Sequence, residues 1–200
     1  MSKTTSCWAA LAAALILLGP HALTAQTAQN APPTREGFWI SLSAGWGSVG
    51  FTCDGCPDID REMGTSGNLR LGTALNPNIL LGVEITGWTQ WWDDSGANFL
   101  RSSLLGAVTV YPMTTGGLFL AAGAGYTVYS EKLDPDEVTV NGVGGMVRLG
   151  YDIRVAKNFS VSPYGDFEMT FGGTLKANGA DTGVSGNTNL FSLGVAVTFH

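Results

Sequence analysis

Phe191-Ser192-Leu193-Gly194-Val195-Ala196-Val197-Thr198-Phe199 alternates large apolar residues with small or polar ones. Successive side chains of a strand point to opposite faces. Phe191, Leu193, Val195, Val197 and Phe199 therefore share one face, and the other carries only Ser192, Gly194, Ala196 and Thr198. If the bulky face points outward, it needs lipid against it. The nearly empty face then leaves room inside for side chains from neighbouring strands.

Seven earlier segments repeat the pattern. Residues 38–46 set Phe38, Ile40, Leu42, Ala44 and Trp46 against Trp39, Ser41, Ser43 and Gly45. Residues 68–75 turn Leu69, Leu71, Thr73 and Leu75 to one face, and residues 79–90 do the same with Ile79, Leu81, Val83 and Ile85. Leu104, Val108 and Val110 share a face in 100–111, as do Leu118, Leu120, Tyr126 and Val128 in 118–129. Residues 143–153 show Val143, Val147, Leu149, Tyr151 and Ile153; residues 159–171 show Phe159, Val161, Phe167 and Met169. Eight segments of about ten residues match strands that cross a bilayer. Only a closed barrel satisfies every backbone group of such strands in lipid.

The connections alternate in length. Short turns are expected at 76–78, 112–117 and 155–158, and longer loops at 52–66, 91–97, 130–141 and 172–187. Short periplasmic turns and long external loops are the habit of outer-membrane barrels. Aromatic residues gather near the ends: Phe38, Tyr111, Phe159 and Phe199 at one, Trp46, Trp88, Trp91, Trp92 and Tyr126 at the other. Both groups are read as interfacial belts. The fold expected is all-β, an eight-stranded antiparallel transmembrane up-and-down β-barrel.

Pairing the second and third segments about Pro77 puts Arg70 opposite Glu84 and Leu71 opposite Val83, each on its proper face. Arg148 and Asp152, and Asp166 and Glu168, also point inward by parity. A buried charge without a partner is very costly, so these six are expected to form an interior charge network. A soluble lipocalin-type barrel would carry apolar residues there instead.

Residues 1–25 read as a signal peptide: Lys3, an apolar run from Trp8 to Leu18, Gly19-Pro20, then small residues to Ala25. Residues 26–36 form a short lead expected on the periplasmic side, and 37–200 the barrel. Without the signal, nine Lys plus Arg face sixteen Asp plus Glu, a net charge of −7. That argues against nucleic acid, whose phosphates call for a basic surface. Cys53-Asp54-Gly55-Cys56 is a turn sequence with its cysteines at the turn's first and fourth positions. In an exported protein this spacing predicts a local disulfide.

Gly37-Phe-Trp-Ile-Ser-Leu-Ser-Ala-Gly-Trp-Gly47, Tyr111-Pro112, Gly117-Leu-Phe-Leu-Ala-Ala-Gly-Ala-Gly-Tyr126, Gly150-Tyr-Asp152, Ser162-Pro-Tyr164 and the aromatic closing strand resemble the outer-membrane protein β-barrel domain family. These are the small barrels related to OmpA and OmpX. The resemblance spans 37–199 and implies residence in the outer membrane of a Gram-negative-type bacterium. It also implies contact with outer-membrane lipid and lipopolysaccharide, and handling by the barrel-assembly machinery, which reads a terminal aromatic. Here His200 follows that aromatic, Phe199. Motifs of this kind specify architecture and hardly any activity.

Chemistry-bearing patterns are sparse. Gly45-Trp-Gly47-Ser-Val-Gly50 matches a dinucleotide motif by letter, but no helix follows to meet a pyrophosphate. Lipid-modifying barrel enzymes resemble this architecture and use histidine with serine and an acid. The only histidines, His21 and His200, fall in the signal and at the last position, so no enzyme and no cofactor is expected. In the acidic first loop, Asp58, Asp60 and Glu62 alternate and are weak candidates for a hard divalent cation. The expected role is a monomeric structural anchor that offers surface loops to an unidentified partner. A narrow passive pore is the alternative, and a lipid-modifying enzyme is the third class.

Overall fold

The computed structural model describes residues 35–53, 55–56, 60–90, 98–133 and 135–200. Nine strands run β1 (Gly37–Cys53), β2 (Glu62–Asn76), β3 (Ile79–Gln90), β4 (Asn98–Val110), β5 (Leu118–Leu133), β6 (Asp136–Tyr151), β7 (Ile153–Ala156), β8 (Phe159–Ala177) and β9 (Ala180–Phe199). Consecutive staves pair antiparallel, and β9 returns to β1 from Ile40↔Phe199 to Cys53↔Gly186. β6 and β7 both pair with β8 and are separated by Asp152 alone. They form one stave, so the barrel has eight.

The alternation decides which side faces out. Leu42, Ile85, Leu104, Val147, Leu149, Leu193 and Val195 are exposed. Phe38, Trp46, Tyr126, Tyr151, Phe167 and Phe199 join them on the outer wall. A soluble surface does not carry so continuous an apolar face, whereas a bilayer requires one. Outward Ala122 and Gly165 leave a depression of about 770 Å³, walled by Leu120, Val147, Leu149, Phe167 and Leu193.

Strand length exceeds what a membrane needs. β8 has 19 residues and β9 has 20, each roughly 65 Å at ~3.3 Å per residue. Their upper parts extend past an apolar band of about 25 Å. Two of the expected long loops are therefore corrected. Residues 130–133 and 136–141 are the ends of β5 and β6, paired from Ser130↔Thr139 to Leu133↔Asp136. Residues 172–187 are the paired ends of β8 and β9, joined by Asn178-Gly179 with φ of 50° and 79°. Positive φ at both positions is the two-residue turn that matches strand twist. In the first expected loop, 52–66, β1 continues to Cys53 and β2 already begins at Glu62. The expected loop at 91–97 lies outside the described residues.

Candidate functional site

Inward side chains fill the lumen in layers. At the end that carries Gly37 and Phe199, Trp39, Leu80, Tyr111, Phe119, Tyr164 and Ala196 form one buried apolar cluster. Inward glycines make space for these rings. A Cβ on Gly82 would lie 2.8 Å from Trp39, and one on Gly150 would overlap the Phe119 ring. Beneath the cluster, Arg35 stacks on Tyr111 at 3.5 Å and donates to the carbonyl oxygens of Gly116, at 2.8 Å, and Pro77. Tyr111 donates to Asp152 at 2.7 Å, and Ser162 donates to the other oxygen at 2.5 Å. The void among Trp39, Arg70, Tyr111, Phe119 and Asp152 is about 10 Å³, room for no more than about one water.

The middle layer carries charge. Arg148 grips Glu84 through both terminal nitrogens, at 2.9 and 2.5 Å, and reaches Asp166 at 2.8 Å. Arg101 pairs with Glu168 at 2.5 Å, and Ser103 and Thr86 donate to the same carboxylate oxygen. Ser192 donates to Asp166. Arg70 donates to Ser41 at 2.9 Å and lies 6.0 Å from the Trp39 ring. Three guanidiniums thus share a dry layer with three carboxylates. Near neutrality is what a low-dielectric interior demands.

Above it, Val49, Trp88, Phe99, Tyr129, Val140 and Leu190 form a second buried apolar cluster, with Phe51 and Leu175 packed against it. Trp88 donates its indole N–H to Gly47 oxygen at 3.0 Å. The barrel then opens into a cavity of about 350 Å³ at its outer mouth. Cys53 and Cys56 are joined by a disulfide beside it, with Cα atoms 5.3 Å apart.

Several expectations change in detail. Arg70 and Glu84 do face each other across β2 and β3, yet Glu84 pairs across the lumen with Arg148 and Arg70 turns to Ser41. Asp152 is held by two hydroxyls beneath the charge layer. Arg101, outside the six expected charges, is 1% exposed and anchors Glu168; its position on β4, opposite in parity to Leu104 and Val108, is the sequence signal for it. Trp88 and Tyr111 are buried lumen residues at 1% and 4% exposure, not interfacial aromatics. Trp91, Trp92 and Asp58 lie outside the described residues. Asp60 and Glu62 both line the outer mouth, and no group of three or more His, Cys, Asp or Glu suited to a metal occurs among the described residues.

No family model matches the chain, and no curated protein matches it. Solved structures do. Neisserial surface protein A is 16% identical with a TM-score of 0.62, over 82% of this chain and 96% of that one. Ail, the attachment invasion locus protein of Yersinia pestis, is 13% identical with a TM-score of 0.53, over 82% and 99%. At such identities the likeness is one of fold. The chain has the fold of these small outer-membrane proteins, a closed antiparallel β-barrel of eight staves.

Proposed function

We propose that the protein resides in the bacterial outer membrane as a closed anchor that presents rigid β-hairpins to the outside. The observation that carries this is the sealed lumen: a neutral charge layer between two buried apolar clusters. Ions would have to displace Trp39 and Phe119 at one level and Trp88 and Leu190 at another. An eight-stranded interior is just wide enough for its own side chains, and here they occupy it. The long paired ends of β5 and β6 and of β8 and β9 support the interaction side of this reading. So does the name of the Yersinia pestis protein, an attachment protein with the same fold.

Reconstitution in a planar lipid bilayer tests the proposal. The intact protein should give no steady conductance above the bare membrane. Reproducible ohmic steps would overturn the closed-anchor reading in favour of a narrow pore.

A further inference from the structure

The outer mouth is not filled as the lumen is. Its cavity of about 350 Å³ is walled by Phe51, Phe99, Tyr129, Val138 and Leu175, and the buried apolar cluster containing Trp88 and Leu190 lies beneath. Phe51 and Tyr129 stack with ring centroids 6.0 Å apart. Among the described residues, the cavity's charged lining is acidic: Asp60, Glu62 and Glu131. Arg61, between two of these in sequence, is engaged elsewhere. Its guanidinium donates to Ser48 Oγ at 2.9 Å, to the Ser48 carbonyl oxygen and to Asn189. Lys132 pairs with Glu137 at 3.2 Å.

We infer that this mouth is a binding site for a small amphipathic cation: an ammonium group carried on an aromatic or short aliphatic body. The body displaces water from Phe99, Val138 and Leu175, a gain proportional to the apolar area covered. The ammonium lies toward Asp60 and Glu62 and over an aromatic face, where ring quadrupole and carboxylates both attract it. An anion of the same shape gains the same apolar contact but is repelled by the carboxylates. The volume suits one fragment-sized molecule and excludes a folded partner. The Cys53–Cys56 disulfide closes a local turn at the end of β1, and both cysteines line the cavity.

The inference goes beyond the anchor reading and does not share its test, since a conducting barrel would fail the bilayer experiment and leave this site's titration unaffected. Calorimetric titration of the protein in nanodiscs uses phenethylammonium, its neutral isostere phenethyl alcohol and the anion hydrocinnamate, with protein-free nanodiscs subtracted. Phenethylammonium should bind at one saturable site, roughly tenfold more tightly than the alcohol, and hydrocinnamate should bind more weakly than the alcohol. The variant Asp60→Asn with Glu62→Gln keeps the shape and should lower the cation's affinity several-fold, toward that of the alcohol, while Glu131 and the aromatic wall remain. Phe51→Ala should weaken both. The unboiled gel band of each variant establishes that its barrel is closed. Equal binding of cation and alcohol would overturn the inference, as would unchanged affinity in the double variant. Absence of a saturable component in the intact protein would overturn it as well.

Discussion

Arg148 and Arg70 are both buried guanidiniums on the inner wall, at 2% and 7% exposure, but they do different work. Arg148 holds two carboxylates, Glu84 and Asp166. Removing it strands both in a dry layer, and breaking a buried pair in this way costs about 3–5 kcal/mol. Arg70 has a hydroxyl partner and a ring, so its loss forfeits mainly one charged hydrogen bond, about 1–3 kcal/mol. Urea unfolding in lipid vesicles should therefore show Arg148→Met destabilised at least twice as much as Arg70→Met. Equal losses would show that Arg70 and Glu84 act as the pair their register suggests. The register itself was readable from Pro77 and the apolar positions around it. The choice of partner was not, because Arg148 reaches Glu84 across the lumen, and that distance depends on the barrel's cross-section. Arg101 and Trp88 were legible by parity alone, since each alternates with outward neighbours such as Leu100 and Ile85.

At the scale of elements, the outward face was open to inspection because lipid demands large apolar residues at every second position. The hairpin extensions were harder to see. Above the bilayer neither face of a strand meets lipid, so residues 136–141 and 174–177 lose the alternation while keeping their ladder bonds. The Asn178-Gly179 turn was the local clue. Inward glycines help such aromatic clusters fit so narrow a barrel: Gly150 on β6 leaves room for Phe119 on the adjacent β5, and Gly82 on β3 for Trp39 on β1, two staves away. Gly150→Ala on β6 would press a methyl group into Phe119 on β5, an overpacking cost of about 1–3 kcal/mol. Gly87→Ala on β3 meets nothing within 4 Å and should be nearly neutral. Adding Phe119→Leu to Gly150→Ala should recover part of the loss. Failure of that rescue would place the strain in the backbone, where Pro163 oxygen lies 3.0 Å from the added Cβ.

The whole molecule depends on one long-range closure, the seam at which β9 lies between β1 and β8. His200 follows the last residue of β9, on the β8 side of that seam. Its backbone N–H donates to the Asn158 carbonyl oxygen at 3.0 Å, and its ring nitrogen lies 3.3 Å from Ser160 Oγ. Burial pulls the imidazole down from its ordinary 6.5 to about 4; Asp152 opposes that shift, while Arg154 and Arg35 add to it. Above pH 6.5 the ring is neutral in folded and unfolded chains alike, and its contribution is fully present. As pH falls from 6.5 toward 4, the unfolded chain takes a proton that the folded chain refuses, so stability falls by at most about 1.4 kcal/mol per pH unit. Partial exposure of the ring reduces the sum over the window to about 1–2 kcal/mol. Because a barrel cannot lose one seam and keep its closure, the loss should appear as cooperative unfolding of the whole molecule. The fraction of fast-migrating, unboiled protein after urea treatment reads it directly. Between pH 7 and 4.5 the urea midpoint should fall for the intact chain and fall less for His200→Gln, which keeps a polar group near Ser160 without a titrating ring. Parallel pH dependence in the two proteins would assign the acid sensitivity to other titrating groups and leave the seam histidine without a part in it.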